Sequence, residues 1–447
     1  MARVRFSVRF CGKSEEILSF MKYVLFVFSL TALFAAINCP AQASSARLKL
    51  VPAPLRSASA QPIPAHASPY NFPRVQYPRI EADSRVTFHF KAPDAQKVQV
   101  AITGVPFDMI KGADGVWTYT SAPQPPGYHN YWMVVDGAIV LDPGTNTFIG
   151  YGHMCNGFEI PEPGVDFYAL KDVPHGAVRT EVYFAKTTHS WRRALVYTPP
   201  RYDVSAATRY PVLYLQHGGG EDERAWIDMG RANLILDNLI AAGEAKPMIA
   251  VMETDNVPGT FPLRGPGHDG WHPEYPRGGG PYGQLIVNDL IPWVDSHFRT
   301  LTDKDHRAMA GSSMGGYMSD AVTLGNLDKF SYAGLFSGGS AAGFGPGGAG
   351  IPIPPSAPPP QPATLDFKTI YYGAMENPAQ FAKQMKVFFF SFGAIPPLEN
   401  PDGLKKHQQQ LIAAGITNSY LYISPGTSHE WQTWRRSLYV FAPLLFK

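Results

Sequence analysis

Short alternating segments open the patterned part of the chain, and longer mixed ones follow. RVTFHF (85–90) and KVQVAI (97–102) alternate apolar with polar positions, while VWTYT (116–120) and YWMVV (131–135) are aromatic and β-branched. Between them stand Ala92-Pro93-Asp94, Asp114-Gly115, Pro126-Gly127 and Asp136-Gly137, all turn formers at short spacing. This predicts a small antiparallel β-sandwich of about ninety residues, over 70–162. From Val182 the pattern becomes strand–helix alternation. ALVYTP (194–199), PVLYLQ (211–216), PMIAVME (247–253), YAGLFSGG (332–339), KVFFFSFG (386–393) and SYLYIS (419–424) read as strands. RANLILDNLIAAG (231–243), LIVNDLIPWVDSHF (285–298) and LKKHQQQLIAAG (404–415) read as helices. The expectation for 175–447 is an α/β domain, a mostly parallel sheet covered by helices on both faces. Residues 161–180 form a Pro/Gly-punctuated joint, and the low-complexity stretch 343–363 predicts a long exposed loop.

Ahead of these elements lies an address. Residues 24–37, VLFVFSLTALFAAI, are an apolar run preceded by Lys22 and followed by Ala41-Gln42-Ala43, a small-x-small cleavage pattern. Fourteen residues span only ~21 Å as a helix, short of a ~30 Å hydrocarbon core, so 1–43 is expected to be a signal-peptide region, with no membrane span left after cleavage. Met21 is an alternative start, because residues 1–20 resemble no usual leader. Residues 44–69, rich in Ala, Ser and Pro, read as a linker. A secreted or periplasmic protein follows. Of the cysteines at 11, 39 and 155, only Cys155 survives cleavage, so the mature monomer has no internal disulfide and must rely on its cores. Lys+Arg 38 against Asp+Glu 36 leaves no basic footprint for nucleic acid. Nothing in the sequence assigns an oligomeric state.

The chemistry sits between a strand and a helix. Gly311-Ser312-Ser313-Met314-Gly315 matches G-x-S-x-G, a turn too sharp for Cβ atoms to pass the neighbouring backbone; it places Ser313 at the C-terminal end of a strand as a candidate nucleophile. A serine hydroxyl needs a base, and His429 in Gly426-Thr427-Ser428-His429-Glu430-Trp431 follows the last strand, where the order serine, acid, histidine puts it. His407 is expected on a Lys/Gln-rich helix surface. His217-Gly218-Gly219-Gly220 follows the strand PVLYLQ, so the candidate oxyanion donors are the amides of Met314 and of Gly219 or Gly218. His217, His268 and His272 show no ligand-like grouping, and neither metal nor cofactor is expected.

Two stretches resemble known families. YPRIEADSRVTFHFKAPDAQKVQV with DGVWTYT, PGYHNYWMVVDG and DPGTN is similar to the early-set, immunoglobulin-like carbohydrate-binding module family 48. If that module binds sugar, Trp117, Tyr119, Tyr131 and Trp132 are the candidates for stacking; packing beside the active site is the alternative. LYLQHGGGEDERAWIDMGRANLILDNLIAAGEAKPMIAVME, DLIPWVDSHFRTLTDKDHRAMAGSSMGG and PGTSHEWQTWRR resemble the esterase D/feruloyl esterase group, carbohydrate esterase family 1. The resemblance implies an α/β-hydrolase cleaving feruloyl or acetyl esters on plant cell-wall polysaccharide or oligosaccharides. Relatives usually carry an aspartate about three residues past the glycine ending KVFFFSFG; here position 396 is proline. Glu399 is the first candidate acid, Asp402 the second and an N-cap besides, and an absent acid is the third possibility. Siderophore (enterochelin-type) esterase and acyltransferase are alternative activities, and a carbohydrate-binding protein with a degenerate esterase fold is the alternative of another class.

Overall fold

The computed structural model describes residues 63–260, 276–339, 365–395 and 401–447. The proposed signal region, most of the linker, His268, His272, the loop 343–363 and Glu399 lie outside the described residues. Two antiparallel sheets form first. One has five strands, including Val86–Lys91 and Val116–Thr120; the other has six, including Val98–Ile102, Gly127–Val135 and His153–Ile160. The alternation works as read: Val86, Phe88, Val98, Val100, Tyr131, Met133, Phe158 and Ile160 interdigitate in one core between the sheets.

The six-stranded sheet is buried on its second face as well. Ala101, Tyr128, Trp132, Phe148 and Cys155 join a core shared with Trp226, Leu236, Trp431 and Phe441 further along the chain. Gly127–Val135 is therefore buried over seven successive residues, polar His129 and Asn130 included. The boundary expected between 70–162 and 175–447 is crossed by continuous apolar packing. Of the four candidate stacking aromatics, Trp117, Tyr131 and Trp132 are core residues; only Tyr119 is partly exposed, and it stacks on Phe107. Cys155 is buried, its thiol pushed up to about 12 by burial, which makes it an inert packing residue.

The remainder is an eight-stranded sheet. Its strands are β1 (Ala177–Ala185), β2 (Ser190–Thr198), β3 (Val212–Gln216), β4 (Ile249–Glu253), β5 (Arg307–Ser312), β6 (Tyr332–Phe336), β7 (Val387–Gly393) and β8 (Ser419–Ser424). The order is β1-β2-β4-β3-β5-β6-β7-β8, parallel from β4 to β8 with an antiparallel hairpin at the β1 edge. Strands β3 to β8 are apolar runs because helices cover both faces. The helices that matter below are α1 (Ala225–Asp228), α2 (Ala232–Ala241), α3 (Met314–Gly325), α4 (Pro401–Ala413) and α5 (Trp431–Phe441). The helix expected at 285–298 runs from Gly280 to His297 and contains a π-helical turn at Ile286–Leu290. Pro292 stands two residues past that turn; it has no N–H to give, and the wider turn accommodates its ring. No helix among the described residues is long and apolar enough to cross a membrane.

Candidate active site

Two glycines shape the corner at Ser313. A Cβ on Gly311 would stand 2.5 Å from the Gly315 carbonyl oxygen, and one on Gly315 would stand 2.4 Å from that of His217. With those atoms absent, β5 turns directly into α3 and Ser313 is held at φ 52°, ψ −116°, a conformation few non-glycine residues adopt. The surroundings enforce it: Ser313 N–H donates to the Phe336 carbonyl at 2.7 Å, and its own carbonyl accepts from Gly316 N–H at 2.9 Å. The hydroxyl is thereby delivered past the C-terminal edge of the sheet.

His429 meets it there. The imidazole Nε2 lies 2.8 Å from Ser313 Oγ, across 116 residues of sequence, and the ring stands edge-on to Trp434 at 5.3 Å. Its loop is tied down on both sides. Thr433 Oγ1 donates to the Ser428 carbonyl at 2.5 Å, and Ser428 N–H donates to Glu430 Oε1 at 3.1 Å. The chain leaving β7 is laced to the same loop: Ile395 N–H donates to the Thr427 carbonyl at 3.0 Å, and Ser428 Oγ donates to the Ile395 carbonyl at 3.1 Å.

The HGGG loop leans against Ser313, the candidate nucleophile, from the other side. A Cβ on Gly218 would sit 3.5 Å from Ser313 Cβ, and one on Gly219 would sit 3.0 Å from Met314 Cε. The amide of Gly218 is committed elsewhere, donating to Glu221 Oε2 at 2.9 Å. Of the three candidate donors, this leaves the Gly219 amide and the Met314 amide at the start of α3. His217 is buried, with Nδ1 2.7 Å from the Gly218 carbonyl and Nε2 3.4 Å from the Asp255 amide. Burial lowers its pKa and the Asp255 carboxylate raises it, with the net upward.

Two expectations need correction. His407 is buried rather than surface-exposed, its Nε2 2.6 Å from Tyr371 OH, and burial pulls it down to about 4. Asp402 does not precede its helix: α4 starts at Pro401, three residues earlier than read, and Asp402 lies in its first turn. Its side chain is 93% exposed and ion-paired with Lys405 at 3.0 Å.

Packing of the first sheets beside the site was one of the two roles the sequence left open; the residues that make the contact were not readable. The turn between Thr147–Gly150 and His153–Ile160 reaches the HGGG loop, where Gly152 N–H donates to the Gly220 carbonyl at 2.9 Å. Tyr151 beside it is half-exposed, held at φ 56° and packed against Trp132. A Tyr-Gly pair in a hairpin carries no local sign of what it will touch.

Comparison with known proteins places the chain in a family. Residues 185–443 match the family model described as "Putative esterase". The chain is 35% identical over 388 residues to an endo-1,4-beta-xylanase/feruloyl esterase of Xylanibacter ruminicola, an alignment covering 85% of this chain and 47% of that protein. It is 35% identical over 128 residues to an esterase of Mycobacterium tuberculosis, covering 27% of this chain and 24% of that one. The chain thus spans about half or less of the length of these curated relatives. Among solved structures, the enterobactin esterase of Shigella flexneri shares the fold at a TM-score of 0.53 and 16% identity, covering 80% of this chain and 92% of that one.

Proposed function

Because the chain belongs to the Esterase family, we propose that it is an exported serine carboxylic ester hydrolase acting on feruloyl or acetyl esters of plant cell-wall polysaccharide or its oligosaccharides. The observation that carries the reading is the 2.8 Å approach of His429 Nε2 to the hydroxyl of a strained Ser313 beside the glycine-rich HGGG loop. His429 Nε2 takes the Ser313 proton as Oγ bonds to the ester carbonyl carbon. The carbonyl oxygen becomes an oxyanion facing the amides of Gly219 and Met314. Collapse breaks the ester C–O bond, and the imidazolium returns the proton to the departing sugar oxygen. Water, deprotonated by His429, then attacks the acyl-serine and releases the carboxylic acid.

The acid partner of His429 is Glu399 in this reading. Two observations support it. Ile395, four residues before Glu399, is hydrogen-bonded directly to the His429 loop at Thr427 and Ser428. Asp402, the competing carboxylate, is exposed and bound to Lys405. The first sheets are read as an immunoglobulin-like module resembling carbohydrate-binding family 48, spanning 70–162. Its role is to wall the crevice through Tyr151 and Gly152, since three of its four candidate stacking aromatics are buried. The xylanase/feruloyl esterase relative supports a plant cell-wall substrate and an extracellular location.

The test is Ser313→Ala. The variant folds normally and loses at least ~10³ of its kcat on p-nitrophenyl acetate and methyl ferulate, because triad members act as a unit. A panel adding feruloylated arabinoxylan oligosaccharides and a catecholate siderophore ester resolves the substrate. Preference for the siderophore ester overturns the cell-wall assignment, and absence of hydrolysis in the wild type overturns the enzyme.

A further inference from the structure

The carboxylate of Glu221 sits between the two halves of the catalytic apparatus and belongs to neither. Its Oε2 accepts the Gly218 N–H at 2.9 Å, and its Oε1 accepts the indole N–H of Trp431 at 3.1 Å. Gly218 precedes the oxyanion donor Gly219. Trp431 follows His429 by two residues and opens α5. The indole is fixed: Trp431 is 4% exposed and meets Trp226 at 5.2 Å and Trp434 at 5.0 Å, both edge-to-face, and Trp434 in turn backs the His429 ring.

We propose that Glu221 is a positioning residue that locks the oxyanion loop to the histidine-bearing helix, so that the Gly219 amide and the His429 imidazole are held in register around Ser313. This rests on the esterase reading above. The physical reason is peptide planarity. Pinning the Gly218 N–H fixes the plane of the 217–218 peptide, and three consecutive glycines otherwise leave the direction of the next amide to a soft backbone. The Gly152 N–H holds the loop at its far end, at Gly220, so the donor is pinned on both sides. Because the same carboxylate also binds Trp431, a shift of the loop and a shift of the helix are one event. Both groups facing the carboxylate are donors, which only a two-acceptor side chain satisfies.

Glu221→Gln is the direct test, because the amide keeps the shape but offers one acceptor and one donor to two donors. On p-nitrophenyl acetate, kcat falls roughly 10- to 100-fold, a fraction of what losing a whole oxyanion donor does, while KM stays within about twofold. The inhibition constant of phenylboronic acid, which forms a tetrahedral adduct on the serine, rises in step with the loss of kcat. Trp431→Phe keeps the apolar contacts, removes only the N–H, and produces the same pattern more weakly. The double variant is no worse than Glu221→Gln alone, because the two changes break one link. If Glu221→Gln does not fold, Trp431→Phe reads the same coupling. Unchanged kcat and boronate inhibition in folded variants overturns the inference. So does a loss that tracks melting temperature and KM instead of boronate affinity, which marks plain structural support. A wild-type protein that neither turns over the ester nor binds the boronate overturns the esterase reading instead, so the two failures are distinguishable.

Discussion

Helix α5 buries carboxylates in two ways along its length. At its start, Trp431 meets Glu221 with a neutral N–H. One turn on, Arg435 and Arg436 meet Glu159 and Glu162 with full charges. Arg435 binds Glu159 through two bonds of 2.6 and 3.0 Å and is 0% exposed; Arg436 binds Glu162 at 2.6 Å. The consequences run in opposite directions. Burial pushes Glu221 up to about 7, because the His217 charge and two neutral donors oppose it only in part. Burial also pushes Glu159 upward, but the Arg435 guanidinium outweighs it, and the net is below the ordinary carboxylate range. The first sheets are thus mounted on α5 in part by the Arg435–Glu159 pair, whose carboxylate is held ionised by its partner, whereas the candidate catalytic loops are tied to it by a group that titrates near neutrality. The mount also reaches the candidate active site mechanically, since Arg436 donates to the Pro425 carbonyl at 2.7 Å, at the root of the His429 loop.

The sharpest way to break this comparison is to separate activity from stability. Glu399→Gln, on the catalytic side, is expected to lower kcat by ~10⁴ or somewhat less with melting unchanged; Asp402→Asn, assayed beside it, leaves kcat alone. Near-normal turnover in the Glu399 variant ends that assignment. On the mount, Arg435→Ala is expected to destabilise the fold by about 3–5 kcal/mol, because it strands Glu159 as an unpaired buried charge. Denaturant unfolding measures it, and kcat of the folded fraction changes far less than with Glu399→Gln. Replacing Arg435 and Glu159 together by Met and Leu recovers most of that stability. A double variant as unstable as Arg435→Ala alone refutes the stranded-charge account.

Legibility in the sequence follows the same division. The strands of the large sheet and the Ser313 corner were readable because each depends on local pattern: β8 falls where SYLYIS was read, and Gly311 and Gly315 are demanded by the turn itself. His429 was readable from chain order. What was not readable depends on contacts between distant segments. Arg435 and Arg436 look like a solvated pair on an amphipathic helix until Glu159 and Glu162, over 270 residues away, are placed against them. Tyr128 and Trp132 fit an alternating strand, and nothing local says that its outer face is covered by α5. His407 sits in a Lys/Gln-rich segment, yet Tyr371 draws it inward. Glu221 is hidden differently: directly after a glycine loop it reads as a solvated turn residue, and only the position of Trp431 gives it a role.

The smallest expected effect is the one that reads the two burial modes directly, through the pH dependence of stability. Glu221 has a folded-state pKa of about 7 against 4.5 for the free side chain. Between those values the native state holds a proton that the unfolded chain has released. Unfolding therefore releases a proton, and stability falls as pH rises from about 4.5 to 7, then levels off. Glu159 has the opposite sign: its contribution is complete above the ordinary carboxylate pKa and is lost only as pH falls through its depressed folded value. From pH 5 to 8 the contribution of the Glu159–Arg435 pair is thus constant, and Glu221 contributes a negative slope. Chemical denaturation of wild type and Glu221→Gln at half-unit pH steps isolates it, because the glutamine cannot titrate. The difference between the two curves should decline across pH 5–7 and be flat above. A difference that is flat throughout shows that Glu221 is already ionised at pH 5, with the carboxylate as well accommodated by its two neutral donors as Glu159 is by its arginine.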